Sequence, residues 1–354
     1  MLSELDPGIS LWVGLGVAVL FIAFFVRSRL NFLRIPKLPA VRSGAVPDCM
    51  VVIPARNEEA TIARAVRSFP RDTVIVVDDH SEDGTAEAAR KAGAGVLAAP
   101  DLPARASGKS NACAAGARVL RSRWVLFADA DTWFDEGFLS AAVAAAETSG
   151  LSFLSLYLRP EFASFSENVL VPCAVALYFA GVAPRGDVTE SFNGQCILVR
   201  RDAYEFIGGH SAVIRSAVDD VKLAQLAKRH RLTLAIARTS LGHVRFHPGG
   251  LWSGFERNAL RFLMIGSWNG FTIFFAASIA ALWLPALIWL AVDRQWAAVV
   301  VFALLPSALL GPWYRNPLRA LLAPLGICGM FPVIANGLIA ALTGRRLEWK
   351  GRAL

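Results

Sequence analysis

The segment WVLFADADTWF, residues 124–134, is apolar except for Asp129 and Asp131, two carboxylates separated by a single alanine. An isolated carboxylate in an apolar run pairs, protonates or binds a metal. Carboxylate oxygens are hard ligands, so an Asp-x-Asp closing an apolar strand suits Mg2+ or Mn2+ together with a diphosphate that the ion bridges. On a strand, residues i and i+2 point the same way, which would aim both groups at one ion.

Three other stretches carry comparable chemistry. In VDDHSEDGT, Asp78 and Asp79 follow an apolar run; a carboxylate there can accept hydrogen bonds from a uracil ring or a ribose, or can form an Asx turn ahead of a helix cap at Ser81 or Asp83. In SGKSNA, Lys109 stands at a helix start, where a cation and free N–H groups suit a diphosphate. Pro103 occupies the place a Walker A loop needs for its first glycine, so this is no such loop, and a solvated lysine is the competing reading. In AVDDVKLAQLAKRH, Asp219 and Asp220 precede a helix. Either they favour its dipole, or one is a general base that takes a proton from an acceptor hydroxyl.

The elements that must position these residues alternate. CMVVIPARNE reads as a buried strand with a helix after it from about Glu58 to Ser68, and DTVIVVDD, GAGVLAAP and WVLFADAD read as further strands with GKSNACAAGARVLRS as an intervening helix. Strands alternating with helices predict right-handed βαβ units, an α/β fold with a mostly parallel, Rossmann-like sheet, and a ligand crevice at the carboxyl ends of the strands. Asp78, Asp79, Asp129 and Asp131 all fall at such ends.

The flanks differ in composition. The 354-residue chain is 55% hydrophobic and 18% charged, with a net charge of +8, which places part of it in lipid. Residues 9–26 are apolar and long enough to cross a bilayer; Glu4 and Asp6 precede them, and Arg27, Arg29, Arg34, Lys37 and Arg42 follow. The positive-inside rule then puts the N-terminus outside and the following domain in the cytoplasm, and the acidic start favours an anchor over a signal peptide. Residues 271–292 and 296–311 read as a hairpin turned at Asp293–Gln295, and 318–343 as a third apolar segment broken by Pro324, Pro332 and glycines. A re-entrant third segment would keep the basic tail GRRLEWKGRAL in the cytoplasm. The expected partition is an anchor and basic linker over 1–45, a catalytic domain over 46–245, and an interfacial and membrane region over 246–354. Within the middle part, the apolar run 168–184 is either a buried helix kinked at Pro172 or an interfacial helix. The basic residues adjoin apolar segments and no nucleic-acid signature accompanies them, so no nucleic-acid partner is expected. The five cysteines have no metal or disulfide spacing, and His80, His210, His230, His243 and His247 read as structural or surface residues.

The order VDDxSxDGT, GKxxA, DxD, NGQCILVRRDAYEFIGGH and an acidic pair before a helix resembles the family 2 inverting glycosyltransferases of GT-A fold. The flanking apolar segments and the tail GRRLEWKGR make it similar to the membrane-bound members that act on lipids, the carotenoid, hopanoid-associated and ceramide types. The resemblance is good over residues 48–262 and loose over the membrane part. It implies that Asp78 and Asp79 bind the nucleoside of a UDP-sugar, that Lys109 lies near the nucleotide, and that Asp129 contacts ribose or metal. By the same resemblance, Asp131 holds a divalent metal, Asp220 (with Asp219 in place of the usual Glu) is the catalytic base, and Asn193, Gly194 and Gln195 line the acceptor side. The family's Gln/Arg-x-x-Arg-Trp element is here NALRF, with Arg261 kept for the diphosphate but Asn258 and Phe262 at the outer positions; this argues against processive polysaccharide synthesis. The expected function is transfer of a hexose from a UDP-sugar to a membrane lipid, by a multi-pass protein of the cell (inner or cytoplasmic) membrane with its catalytic domain in the cytoplasm. A polyprenyl-phosphate glycosyltransferase and a non-catalytic scaffold with a degenerate transferase domain are the alternatives. A transporter is disfavoured by the few spans.

Overall fold

The computed structural model describes residues 7–39, 46–104, 106–182, 188–216, 218–246, 252, 254–255, 268–343, 348–349 and 352–353. The chain opens with an apolar helix, α1 (Pro7–Arg34). It then builds β1 (Cys49–Ala55), α2 (Glu59–Arg67), β2 (Val74–Asp78), α3 (Thr85–Ala92), β3 (Gly95–Ala98), α4 (Gly108–Val119), β4 (Trp124–Ala128), β5 (Thr132–Phe134), α5 (Phe138–Thr148) and β6 (Phe153–Pro160). A second apolar helix, α6 (Phe165–Gly181), interrupts this series before β7 (Cys196–Arg200), the short α7 (Arg201–Phe206) and α8 (Gly209–Ala212), α9 (Asp219–Arg229) and β8 (Leu234–Val244). The apolar helices α10 (Trp268–Val292), α11 (Trp296–Leu310) and α12 (Ala323–Thr343) follow.

Two compact units result. One takes Ile35–Glu161, Pro184–His247 and Glu348–Leu354; the other takes Met1–Arg34, Phe162–Ala183 and Pro248–Leu347. The apolar run read between the two middle strands is thus counted with the apolar helices.

In the α/β unit one sheet runs β3-β2-β1-β4-β7-β6-β8-β5. β3, β2, β1 and β4 are parallel, β7 lies antiparallel between β4 and β6, β8 is parallel to β6, and β5 closes the edge antiparallel. Valine and isoleucine fill β1 and β2 because both faces are covered, and Val51, Ile53, Val76, Trp124, Leu126 and Leu198 join one core cluster. From β1 the sheet grows one way through β2 and β3 and the other way through β4. The crevice at that switch point opens beyond the carboxyl ends of β1 and β4. Since β7 is antiparallel to β4, with Cys196 opposite Ala128, the residues just before β7 reach the same rim.

In the apolar unit, three helical stretches among the described residues are long and apolar enough to cross a membrane: Gly8–Arg34, Trp296–Trp313 and Pro317–Asn336. The hairpin turns between α10 and α11, with Arg294 at φ 58. The third apolar segment differs from expectation in where it breaks. Pro332 lies within a continuous α12 and Pro324 at its second residue, while the interruption falls in the 3-10 turns of residues 311–322. A proline in the first turn has no N–H bond to lose there. Helix α6 has both ends tied. Ser164 and Glu167 form a capping box at its start. At its end, Ser28 Oγ donates to Ala176 O (2.6 Å), Asn31 Nδ2 to Phe179 O (2.8 Å) and Arg27 Nε to Ala180 O (3.0 Å). Asn31 and Arg27 satisfy carbonyls that a helix terminus otherwise leaves open, and Ser28 adds a second bond to a carbonyl one turn earlier.

Candidate active site

The turn after β2 is laced to the turn after β1. Asn57 Oδ1 accepts from Glu82 N, Ser81 Oγ accepts from Asn57 N, and Asp83 accepts from Thr85 N and Glu59 N. Asp83 is held below its ordinary range because these donors outweigh its burial. Arg56 donates to the carbonyls of Asp79 and His80 at 2.8 and 2.9 Å. This network presents Asp78 and Asp79 at the rim, with Asp79 4% exposed and Asp78 Oδ1 buried without a hydrogen-bond partner among the described residues. Asp83 makes the Asx turn, while the cap of α3 falls on Gly84 rather than on Ser81 or Asp83, and Asp78 and Asp79 stand at the rim.

Lys109 sits in the first turn of α4, whose N-cap Ser107 accepts from Ser110 N. Its Nζ lies 2.5 Å from Asp129 Oδ1 and donates to Gly194 O at 2.9 Å. Burial alone would lower its pKa, but Asp129 and Asp219 reverse the direction and raise it, so Lys109 is a permanent cation here. It is not a solvated lysine.

Asp129 and Asp131 lie beyond the end of β4, in the turn to β5, rather than on the strand, so the same-face geometry expected of i and i+2 strand residues does not apply. The turn is fixed by Thr132, whose N–H and hydroxyl both donate to Asp129 O. Asp129 faces Lys109, while Asp131 has a buried Oδ1 with no partner among the described residues. Burial, then the charges of Asp129 and Glu58, push the Asp131 carboxyl up to about 8.

The turn before β7 closes the rim. Asn193 Nδ2 donates to Gln195 Oε1 at 2.9 Å, and Gln195 O accepts from Asp129 N at 3.0 Å. Gly194 N donates to Asp220 Oδ2 at 2.8 Å, and Val221 N to Asp220 Oδ1 at 2.8 Å, so each oxygen of that carboxylate is oriented by a backbone amide. Asp219, 9% exposed, accepts from Ser110 Oγ at 3.2 Å. One small pocket is lined by Lys109, Asp129, Gly194, His210, Asp219 and Asp220, with Pro54, Cys113 and Phe127 among its apolar walls. Of the residues singled out from sequence, five thus meet in one pocket. Asn193 and Gln195 are joined to it through the turn, Asp78 and Asp79 stand at the end of β2, and Asp131 stands with Asp129 in the turn after β4. Arg261 lies outside the described residues, as does His247.

Two residues escaped the sequence reading. Ser110 was hidden behind the lysine beside it. His210 was read as structural; His230 meets Phe206 edge-on and His243 joins Asp135 and Glu161, but His210 faces the pocket.

Among the described residues no group of three or more His, Cys, Asp or Glu is placed to hold a metal ion. The donor set still fits Mg2+ or Mn2+, which commonly take one or two carboxylates and complete their coordination with substrate phosphates and water. The buried, unpartnered oxygen of Asp131 is the observation that favours it.

A mixed sheet with its switch point at β1 and β4 and an acidic rim defines a GT-A type domain. Residues 50–208 match the family described as Glycosyl transferase family 2, so this part of the chain resembles the domain of that family. It is 26% identical over 197 residues to the 4,4'-diaponeurosporenoate glycosyltransferase of Staphylococcus aureus (strain USA300), a match covering 52% of each protein. The chain thus spans about half the length of the curated relatives it matches. A solved mannosyltransferase from Pyrobaculum calidifontis, in complex with GDP-Man and Mn2+, shares the fold with a TM-score of 0.55 at 17% identity, over 96% of this chain and 98% of that one.

Proposed function

We propose that the protein transfers a hexose, with inversion, from a UDP-sugar to a hydroxyl of a membrane lipid of hopanoid, carotenoid or sphingolipid-like type. It would do so as a multi-pass protein of the cell membrane with the catalytic unit facing the cytoplasm. The observation that carries this reading is the meeting of Lys109, Asp129, Gly194, Asp219 and Asp220 on one pocket at the carboxyl edge of the sheet. The similarity to a carotenoid glycosyltransferase supports a lipid acceptor, and the three span-length apolar helices support delivery from a bilayer.

In this scheme Asp78 and Asp79 bind the nucleoside. Asp131, assisted by Asp129, would hold Mg2+ or Mn2+, which when bound neutralises charge on the departing diphosphate. Lys109, a fixed cation, stabilises the same developing charge and keeps Asp129 in place. Asp220 takes the proton of the acceptor hydroxyl. Its oxygens each accept one backbone N–H, which orients the carboxylate. The oxygen so freed attacks the anomeric carbon opposite the leaving UDP. Arg261 would contact the diphosphate, and the Asn193–Gln195 turn would face the acceptor.

Asp220→Asn keeps the shape and loses the base. Turnover should fall by about 10²–10⁴-fold with UDP-sugar affinity retained, measured by transfer assays with a panel of nucleotide sugars and host lipids, and by calorimetry. Near-normal turnover with polyprenyl phosphate as acceptor would instead favour the phosphate-acceptor reading, which needs no base.

A further inference from the structure

His210 lines the pocket yet has no part in the scheme above. It is 3% exposed and stands against Phe127, ring centroids 4.6 Å apart and edge-on. The turn that delivers it is built around Tyr204. Gly208 and Gly209 both adopt left-handed backbone, at φ 75 and 50, and a Cβ on Gly209 would fall 2.3 Å from a Tyr204 ring carbon. The Tyr204 hydroxyl oxygen accepts from the His210 backbone N–H at 2.9 Å and lies 2.8 Å from His210 Nδ1.

These two bonds fix the ring. Tyr204 is itself buried, and its hydroxyl proton has no other acceptor among the described residues, so it goes to Nδ1. The imidazole hydrogen is then on Nε2. Burial lowers the His210 pKa to about 4, against the pull of Asp219, so the group is neutral at pH 7. Nε2–H makes no hydrogen bond among the described residues, and the His210 ring lines the pocket. The pocket has room for about one water-sized group, lined by the carboxylates of Asp129, Asp219 and Asp220 and by the Lys109 ammonium. A phosphate oxygen there would meet Asp219 and Asp220 with like charge. A hydroxyl would not: it accepts from an N–H and donates to a carboxylate.

We propose that His210 contacts substrate, its Nε2–H donating to the oxygen of one substrate hydroxyl whose own hydrogen is donated to Asp219 or Asp220. This rests on the transferase reading above. The hydroxyl belongs either to the donor sugar or to the acceptor, and the test separates them.

The full-length protein in detergent with Mn2+ is titrated with UDP and with UDP-glucose, and transfer to a C20 isoprenoid alcohol is followed, in wild type, His210→Phe and His210→Gln. Glutamine places an amide N–H where Nε2–H was, and phenylalanine keeps only the shape. If the hydroxyl is the sugar's, His210→Phe weakens UDP-glucose about tenfold and leaves UDP unchanged. If it is the acceptor's, both nucleotides bind as before and KM for the alcohol rises by a similar factor. In either case His210→Gln recovers most of the loss. Unchanged UDP-glucose affinity and unchanged KM in a folded His210→Phe would overturn the proposal. So would equal weakening of UDP itself, or failure of His210→Gln to recover, since either marks a purely structural role. Failure of the transferase reading shows separately: wild type then binds neither UDP nor UDP-glucose, and the hydroxyl site goes with it.

Discussion

Asp131 carries the least compensated charge of the acidic rim. Its carboxyl is raised from 3.8 to about 8 by burial first and by Asp129 and Glu58 next. The folded state therefore holds this proton more tightly than the unfolded chain does. The associated stability is complete below about pH 4 and is lost as pH rises through about 8. A divalent cation binds only the ionised form, so Mn2+ must displace a proton at neutral pH and none above about 8. Mn2+ should accordingly raise Tm more at pH 8.5 than at pH 6.5, and Asp131→Asn should erase the difference. The same Mn2+ shift at both pH values would take Asp131 out of the metal site. That these aspartates gather at the carboxyl edge of the sheet was legible because carboxylates interrupt apolar runs at the expected strand ends. Their division of labour was not, because the pairing of Asp129 with Lys109 joins residues from the ends of β4 and α4, and no local pattern encodes that contact. His210 was illegible for a sharper reason: its role depends on which nitrogen holds a hydrogen, and Tyr204 decides that through a turn of two left-handed glycines.

At the level of elements, the alternation of strands and helices was readable because buried parallel strands are short valine-rich runs bounded by turns. The apolar run of α6 was readable as a helix, but the choice of unit was not, since an apolar face fits a sheet or another helix equally well. What decides it is polar: Arg27, Ser28 and Asn31 meet its last carbonyls, and Arg319 donates to Asn168 Oδ1 at 2.9 Å near its start. Its flank is met by glycines of α12. A Cβ on Gly326 would lie 2.4 Å from Val169 O, and one on Gly329 would lie 2.7 Å from Leu170 Cδ2. Small residues allow close helix approach where lipid gives no hydrophobic drive. Gly326→Val should therefore destabilise the apolar unit by about 1–3 kcal/mol, seen as a lower Tm in detergent. Gly311→Ala, where the nearest atom to a new Cβ is 3.9 Å away, should leave Tm unmoved. Equal melting of both variants would mean that α6 does not pack on α12 in the membrane.

For the whole molecule, chain parity constrains how the apolar helices meet the bilayer. In the proposed topology, with the catalytic unit on one face of the bilayer, the segments that end at Glu161 and resume at Pro184 share a side, so a single α6 between them returns to the side it left. At 17 residues it extends about 25 Å, short of the roughly 30 Å of hydrocarbon. In the same topology the tail shares the side of the catalytic unit, so the segment Pro248–Leu347 makes an even number of crossings. Among its described residues lie three apolar helices. If the α10–α11 hairpin supplies two crossings, Asp293–Gln295 lie outside, and Arg315, Arg319 and the basic tail fall on the inner face as the charge rule asks. Helix α12 is left to pair with α6 without crossing, which its glycine contacts to α6 allow. This predicts three crossings, by α1, α10 and α11. Single cysteines at Arg294 and Ala353, introduced with Cys328 replaced by serine, should report it in intact cells: an impermeant maleimide should label the first and not the second. Labelling of both positions from outside would make α12 a full crossing and place the tail across the membrane from the acidic rim.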